Sequence, residues 1–534
     1  MTIADTRDAD TAGRAVLQTL RAYGVDTIFG IPGTHNLELY RPLSDLGIRA
    51  VTTRHEQGAG YAADGWAQQT GLPGVVITTS GPGLQNAMSA VGTAFCESRA
   101  MIVLSPGAAI GDEFADRGTL HETKNSSAMA DAVAEWSRRV RSAAEAVEAV
   151  HDAFELFRTG RPRPIHIEIP LDVLEAPAAL PAEAREARPG VVAARVDSDA
   201  VASAAATIEA AGNPVIIAGG GATRATAEVT ALAERLGAPV LTTLNGKGTM
   251  DERHALALGA SLRLPAARRV AEAADVLIVL GSKLGDAELW VPQLRPRGRV
   301  IRVDISAPQL QKNLAADVAI RGDTAGVVAE LLPMVAHRGG AGSDLGAVRT
   351  EIAAQIVAAL PSTVALGAQI VDALPDDAIV AGDSSQIVYL AVANQLRQAR
   401  PHSMLYTPTY ATLGYGLPAA IGARIANPTR PVVTVIGDGA LMFCVNELMT
   451  AVEQRLDLTV VCVDNGGYAE IKQNEQDRGI SPIGVDLLQP DWAMLATAFG
   501  ATGISVDEGP DVGAAIRAAV EAGGVQLVHI RHKA

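Results

Sequence analysis

The sequence predicts an α/β fold: parallel sheets covered by helices, in three consecutive domains. Three observations lead there. Short apolar runs alternate with longer amphipathic segments along the whole chain, as strands buried on both faces and their covering helices do. At 534 residues the chain is longer than one hydrophobic core supports. Two aperiodic stretches interrupt the pattern: 175–188, rich in Ala, Pro and Glu, and 337–344, which carries Gly339, Gly340 and Gly342. The expected domains are therefore 1–175, 190–336 and 345–534. Three βα units of similar size also fit a duplicated architecture.

In the first domain a helix is expected over 13–22, then a strand at 27–29 that runs into the constrained turn Gly30-Ile31-Pro32-Gly33. A strand at 50–52 precedes a helix over 56–69. The strand at 74–79 enters Ser80-Gly81-Pro82-Gly83, and the strand at 100–105 enters Pro106-Gly107. A last strand, 164–169, closes at Pro170. The second domain shows strands at 214–217, 240–242, 276–279 and 299–303. The third shows them at 379–381, 432–436, 458–463 and 525–529, with a helix over 444–454.

Composition narrows the function. A formal charge of -15 and an isoelectric point near 5.2 argue against nucleic acid or an anionic membrane as partner. Cys96, Cys444 and Cys462 lie singly in apolar surroundings, which suits neither a disulfide scaffold nor a zinc site. Residues 1–10 are polar and acidic, and no apolar run is long enough to span a bilayer, so a cytoplasmic protein is expected.

The chemistry is concentrated in the third domain. Gly437-Asp438-Gly439 ends one apolar run, and Asn465-Gly466-Gly467, 27 positions beyond Asp438, ends the next. In a parallel sheet both would reach the same carboxyl-end rim, where open α/β sheets bind ligands. One carboxylate, one amide oxygen and a nearby carbonyl form a hard, oxygen-only set suited to Mg²⁺ that keeps phosphate and water contacts.

In the first domain Glu56 opens a helix directly after a strand, where exposed N–H groups and the helix dipole favour a carboxylate. Gly58, Ala59 and Gly60 beside it permit close approach of a ligand or another subunit. His121 lies in a long polar loop between Pro106 and Met129, and His35 follows the first glycine turn; each is a candidate site residue and equally a solvent-facing one. The loop also holds Asp112, Glu113, Asp116 and Glu122, a setting that could attract a cationic substrate tail. Gly219-Gly220-Gly221 in the second domain follows a strand, but no acidic ribose partner stands some 20 residues on. Residues 410–420, with Ala411 and Leu413, read by themselves as core packing.

Together these segments resemble the thiamine diphosphate-dependent 2-oxo acid enzymes of the acetolactate synthase and pyruvate decarboxylase superfamily, over nearly the whole chain. The most specific part is the segment from Gly437-Asp438-Gly439 to Asn465; Asp464 stands where the family commonly has a first asparagine. The resemblance implies two cofactor-binding domains flanking a Rossmann-like middle one. It implies that Asp438, the Asn465 side chain and the Gly467 carbonyl hold Mg²⁺ against the diphosphate. Glu56 would hydrogen-bond the aminopyrimidine ring, Leu413 would bend the cofactor, and a carbonyl near Ala411 would take its exocyclic amine. A homodimer or homotetramer follows, with the pyrimidine-binding domain of one subunit facing the diphosphate-binding domain of another. FAD, which acetolactate synthases often carry in the middle domain, is possible but not favoured.

The Gly30–His35 segment, the Leu120-His121-Glu122 loop and the run Asn465–Ile471 look most similar to the branch that converts 5-guanidino-2-oxopentanoate to 4-guanidinobutanal and CO₂. Asp112, Glu113, Asp116, Glu122 and Glu470 would offer a guanidinium partners. His35, His121 and Glu470 are the acid–base candidates that accompany Glu56. Acetolactate-type carboligation of 2-oxo acids is the alternative activity, and a non-catalytic binding or regulatory homologue is the alternative of another class.

Overall fold

The structure, a computed structural model, describes residues 10–190, 196–338 and 345–533. It contains three six-stranded sheets whose paired strands are all parallel. The first holds β1 (Thr27–Gly30), β2 (Arg49–Thr52), β3 (Gly74–Ile77), β4 (Met101–Gly107), β5 (Trp136–Arg139) and β6 (Pro164–Pro170), in the order β2-β1-β3-β4-β6-β5. The second holds β7 (Pro214–Ala218), β8 (Val240–Thr242), β9 (Ala257–Gly259), β10 (Val276–Leu280), β11 (Arg299–Asp304) and β12 (Val318–Arg321), in the order β12-β11-β10-β7-β8-β9. That is the doubly wound order of dinucleotide-binding folds. The third holds β13 (Ile379–Gly382), β14 (Met404–Leu405), β15 (Val432–Gly437), β16 (Leu458–Asp464), β17 (Thr502–Asp507) and β18 (Val525–Arg531), in the order β14-β13-β15-β16-β18-β17. The first and third sheets thus share one strand order, and the second has another.

The α/β class expected from the sequence is the one observed. The expected strands all form, because central strands such as Val276–Leu280 are buried along their whole length and carry continuous apolar runs. The strands the sequence did not signal are β5, β9, β12, β14 and β17, and each lies at the end of a sheet. An edge strand packs on fewer neighbours and is commonly short or polar. β14 has two residues, and β17 is partly or fully exposed throughout. The helix expected over 444–454 is confined to Glu447–Glu453, preceded by turns.

Residues 175–188 are laid along the first domain. Arg185 pairs with Asp10 at 2.7 Å and donates to Gln18 at 2.6 Å. His151 Nε2 meets the Ala184 carbonyl at 2.9 Å. Of the second aperiodic stretch, 339–344 lie outside the described residues, as do 1–9. Among the described residues no single helix is long and apolar enough to cross a membrane; Leu345–Ala359 and Pro361–Ala373 reach that length only together, across a 116° bend.

The first and third domains meet through helices that occupy equivalent places in their sheets. Glu56–Thr70 follows β2, Gly416–Ala426 follows β14, and the two make the broadest helix–helix contact in the molecule. The contact is reciprocal. A Cβ on Gly65 would stand 2.1 Å from the Ala419 carbonyl oxygen, and one on Gly422 would stand 1.8 Å from that of Ala62. Only glycine lets the two backbones approach this closely. All three domains converge where Glu97 accepts N–H groups from Thr409 (2.8 Å) and Tyr410 (3.1 Å) and the Asn245 amide (2.7 Å). Arg99 beside it donates to Asp64, to Asn245 Oδ1 and to the Tyr406 carbonyl.

Candidate active site

Two groups of candidate residues form, one at the carboxyl end of the third sheet and one in the first domain. Asp438 is the first residue of the short helix after β15 and is 1% exposed. Burial, and then the charge of Asp464, raise its carboxyl to about 6. Gln489 Nε2 holds one carboxylate oxygen at 2.6 Å, and Gly437 N–H is anchored on Ser385 Oγ at 3.0 Å. A Cβ on Gly439 would collide with the Tyr468 ring at 2.8 Å and would lie 3.6 Å from the Gly467 carbonyl oxygen. The Asn465 backbone N–H also reaches Asp438. Asp438, Asn465 and Gly467 are therefore brought together at adjacent strand ends.

The turn after β16 has little conformational freedom. Gly466 and Gly467 take φ of +85° and +140°, values that disfavour any side chain. Tyr468 N–H donates to the Val485 carbonyl at 2.8 Å, and Leu487 N–H to that of Gly466 at 2.9 Å. Asp464 is directed elsewhere. Burial would raise its carboxyl, but hydrogen bonds from His529 Nε2 (2.9 Å) and Gly466 N–H (2.9 Å) outweigh this and hold it below the usual range. A buried carboxylate with no cationic partner among the described residues, beside the Asn465–Gly467 turn with its amide residue and carbonyls, suits a hard divalent cation.

Leu413 and Ala411 belong to a loop shaped from beneath by Asp383, at the end of β13. The Asp383 carboxylate accepts N–H groups of Ser384 (2.9 Å), Gly414 (3.2 Å) and Gly416 (2.8 Å). Asp383 is fully buried, and burial raises its carboxyl to about 6 despite those bonds. Ala411 is left-handed, with φ of +52°, and its N–H is tied to the Thr407 carbonyl at 3.0 Å. A non-glycine residue is seldom found there unless its surroundings impose it.

In the first domain Glu56 is the first residue of its helix, which the His55 side chain caps by accepting the Gln57 N–H. Glu56 is buried and accepts a hydrogen bond from Asn86 Nδ2 at 3.0 Å. Gly83, from the second glycine turn, makes room for it: a Cβ there would stand 3.0 Å from Glu56 Oε1. His35 and His121 come together through that same turn. Ser80 Oγ lies 2.6 Å from His35 Nδ1 and 3.4 Å from His121 Nδ1, and the imidazole centroids are 5.3 Å apart. Burial, and then the charge of His121, lower the His35 pKa. Glu470 stands apart from this pair, in the third domain, where it accepts from Gln386 Nε2 (2.9 Å) and the Tyr389 hydroxyl (3.1 Å).

The acidic loop is less available than its composition suggests. Asp112 pairs with Arg117, and Glu113 with Arg139. Glu122 takes the N–H groups of Arg117, Gly118 and Thr119. Asp116, Glu122 and Glu470 are the members of the set without a cationic partner among the described residues, and Glu122 is already engaged by backbone N–H groups. The middle-domain glycine turn is also engaged: Gly219 N–H donates to the Leu280 carbonyl and Gly221 N–H to that of Gly281. Those two N–H groups are thereby withdrawn from a pyrophosphate at this turn.

Several residues escaped the sequence reading. Glu447 is 1% exposed and receives the N–H groups of Arg54 (3.1 Å) and His55 (3.0 Å), directly before Glu56. Its position on the helix after the glycine turn gave no sign of a partner in another domain. Asn86 and Gln489 reach their partners only through tertiary folding. Asp383 had a local signal, an acid at the end of an apolar strand.

This geometry agrees with comparisons to known proteins. Three family profiles match the chain: the N-terminal thiamine pyrophosphate-binding domain over residues 10–129, the central domain over 201–331 and the C-terminal thiamine pyrophosphate-binding domain over 387–530. The chain belongs to the thiamine pyrophosphate enzyme family, within its decarboxylase and carboligase group. It is 38% identical to the probable 2-ketoarginine decarboxylase AruI of Pseudomonas aeruginosa, across 98% of this chain and 94% of that protein. It is 31% identical to the acetolactate synthase isozyme 1 large subunit of Escherichia coli, with the same coverage. The acetolactate synthase large subunit IlvB1 of Mycobacterium tuberculosis is also 31% identical, across 94% of this chain and 84% of that one.

Proposed function

We propose that this protein is a thiamine diphosphate- and Mg²⁺-dependent decarboxylase of 5-guanidino-2-oxopentanoate, releasing CO₂ and 4-guanidinobutanal. The observation that carries the substrate reading is Glu470. Among the described residues its carboxylate is held by neutral donors alone, Gln386, Tyr389 and Asn474, three residues along from Gly467, so its charge is available to a guanidinium. The identity to the Pseudomonas protein supports the same reading.

When bound, thiamine diphosphate supplies the electron sink for loss of the carboxylate. The chain's residues bind it and manage protons. Asp438, Asn465 Oδ1 and the Gly467 carbonyl would hold Mg²⁺ beside the diphosphate. Glu56, aimed by Asn86, would be the acid that hydrogen-bonds the pyrimidine ring. Leu413 would pack against the cofactor, and the Ala411 carbonyl, presented by its left-handed turn, would receive the exocyclic amine. His35, its pKa lowered by burial and by His121, is neutral near pH 7 and able to relay a proton through Ser80. The protein acts as a homo-oligomer, with Glu56 and the histidine pair of one subunit facing the diphosphate-binding residues of another. Phe443, 52% exposed beside the glycine turn, and Leu488, fully exposed near Gln489, support a protein surface covering that end.

The test compares CO₂ release from 5-guanidino-2-oxopentanoate and pyruvate in wild type and Glu470→Gln. Wild type should prefer the guanidino acid, and the variant should lose about tenfold or more of kcat/KM on that substrate alone. No CO₂ from the guanidino acid would end the proposal. Acetolactate as the pyruvate product would favour carboligation, the reading supported by the 31% relatives. Retention of Glu56, Asp438 and Asn465 disfavours a non-catalytic homologue.

A further inference from the structure

Asp438 and the 465–467 turn follow different strands, and both are braced by one later segment, residues 485–492. The turn is held through its backbone. Gly467 forms an isolated antiparallel bridge with Asp486, Tyr468 N–H donates to the Val485 carbonyl at 2.8 Å, and Leu487 N–H donates to the Gly466 carbonyl at 2.9 Å. Two residues further on, Gln489 Nε2 reaches Asp438 Oδ2 at 2.6 Å. The segment therefore touches both arms of the proposed Mg²⁺ site.

Every group of the Gln489 amide is engaged. Oε1 accepts the Trp492 indole N–H at 3.3 Å, and Nε2 also faces the Leu487 carbonyl at 3.4 Å. An indole nitrogen only donates, so it keeps the amide oxygen on its own side and turns the NH₂ group toward Asp438. Trp492 is fully buried at the start of the helix Trp492–Ala498, which Asp491 caps by accepting the Met494 N–H at 2.9 Å. Its ring also lies beside His529, with centroids 6.5 Å apart, and His529 Nε2 holds Asp464, the acceptor of the Gly466 N–H. One indole thus backs both arms.

These bonds divide the Asp438 carboxylate. Oδ2 is taken by a short, charge-assisted hydrogen bond. No side chain among the described residues donates to Oδ1, and it is not one of the polar atoms shut away without a partner. The backbone N–H groups of Gly439 and Asn465 also approach the carboxylate, whose lone pairs, about four in number, leave room for a cation beside them. A carboxylate held in this way offers a metal one oxygen. Mg²⁺ demands near-ideal octahedral geometry, which a single oxygen suits, whereas the larger Ca²⁺ takes more ligands and commonly both oxygens of one carboxylate. We propose that Gln489 is a positioning residue for the choice of cation: by occupying Oδ2 it confines Asp438 to single-oxygen ligation and favours Mg²⁺ over Ca²⁺, a role that rests on the Mg²⁺ site proposed above.

Calorimetry of thiamine diphosphate binding to the full-length protein, with Mg²⁺ or Ca²⁺ at equal concentration, reads this preference without turnover. Gln489→Met keeps the side-chain length and removes the donor. The ratio of the cofactor Kd with Mg²⁺ to that with Ca²⁺ should rise about fivefold or more over wild type. Trp492→Phe keeps a ring but removes the N–H that orients the amide; it should move the ratio the same way by a smaller factor, and it carries the test if Gln489→Met does not fold. An equal loss of affinity with both ions would make Gln489 a structural brace only and overturn the proposal, as would an unaltered ratio. Wild type that binds thiamine diphosphate with neither ion would instead remove the cation site proposed at Asp438, and this role with it.

Discussion

Replacing Glu447 by alanine tests whether the third domain fixes the start of the Glu56 helix. The buried carboxylate accepts from Arg54 N–H, His55 N–H and the Thr450 hydroxyl, the last at 2.6 Å. In the variant Thr450 can turn to a helix carbonyl, but the two backbone N–H groups lose their acceptor. An unsatisfied buried donor costs about 1–3 kcal/mol, so the pair sets an upper range of about 2–6 kcal/mol. Two effects reduce it: burial already raises the Glu447 carboxyl, so its ionised form is disfavoured, and water can enter the vacated space. A local loss of about 2–4 kcal/mol is expected, which accelerates amide exchange at residues 54–57 by about 30- to 1000-fold. Turnover should fall as well, because Glu56 begins the loosened segment. Glu447→Gln keeps an acceptor for both N–H groups and should stay within about tenfold of wild-type exchange. Wild-type exchange at 54–57 in the alanine variant, with wild-type turnover, would refute the reasoning.

Asp383 makes a pH prediction. Its carboxyl, about 6 in the fold, lies above the ordinary 3.8, so the folded protein holds the proton more tightly than the unfolded chain. Its stabilisation is complete below about pH 4 and is lost as pH rises through 6, by up to about 3 kcal/mol. Melting temperature followed from pH 4 to 7 should fall more steeply for wild type than for Asp383→Asn; parallel curves would argue against it. Gly467→Ala places a Cβ 2.1 Å from the Val485 carbonyl at a φ of +140°, and should abolish Mg²⁺-dependent cofactor binding in calorimetry, whereas undiminished affinity would dissociate the turn from the diphosphate. Glu56→Gln should keep the circular dichroism spectrum and lose about 100-fold or more of turnover; an unimpaired variant would remove Glu56 from proton transfer.

What could be read in the sequence follows burial. Val276–Leu280 and Leu458–Asp464 carry their apolar pattern because both faces are covered, so local residues are enough to locate them. Ala257–Gly259 and Met404–Leu405 pair along one side only and leave no pattern of their own. At the candidate site, Asp438, Asn465 and Gly467 were legible because two consecutive parallel strands must finish at one rim. The partners that aim them were not. Glu447 reaches Arg54 and His55, nearly 400 residues back, and nothing near Glu447 records that contact. The acidic loop shows the opposite failure, since its composition suggests free charge while Arg117 and Arg139 already neutralise two of its acids.

The reciprocal glycine contact between Glu56–Thr70 and Gly416–Ala426 has the form of an isologous interface between two copies of one ancestral unit. Tethered in a single polypeptide, such copies are released from having to be identical. One can shed its proposed cation-binding loop and the other its proposed acid, while the surface joining them still requires both to keep a matching glycine. Substitution of either glycine is therefore restrained by the backbone of the opposite half, whatever happens at the strand ends.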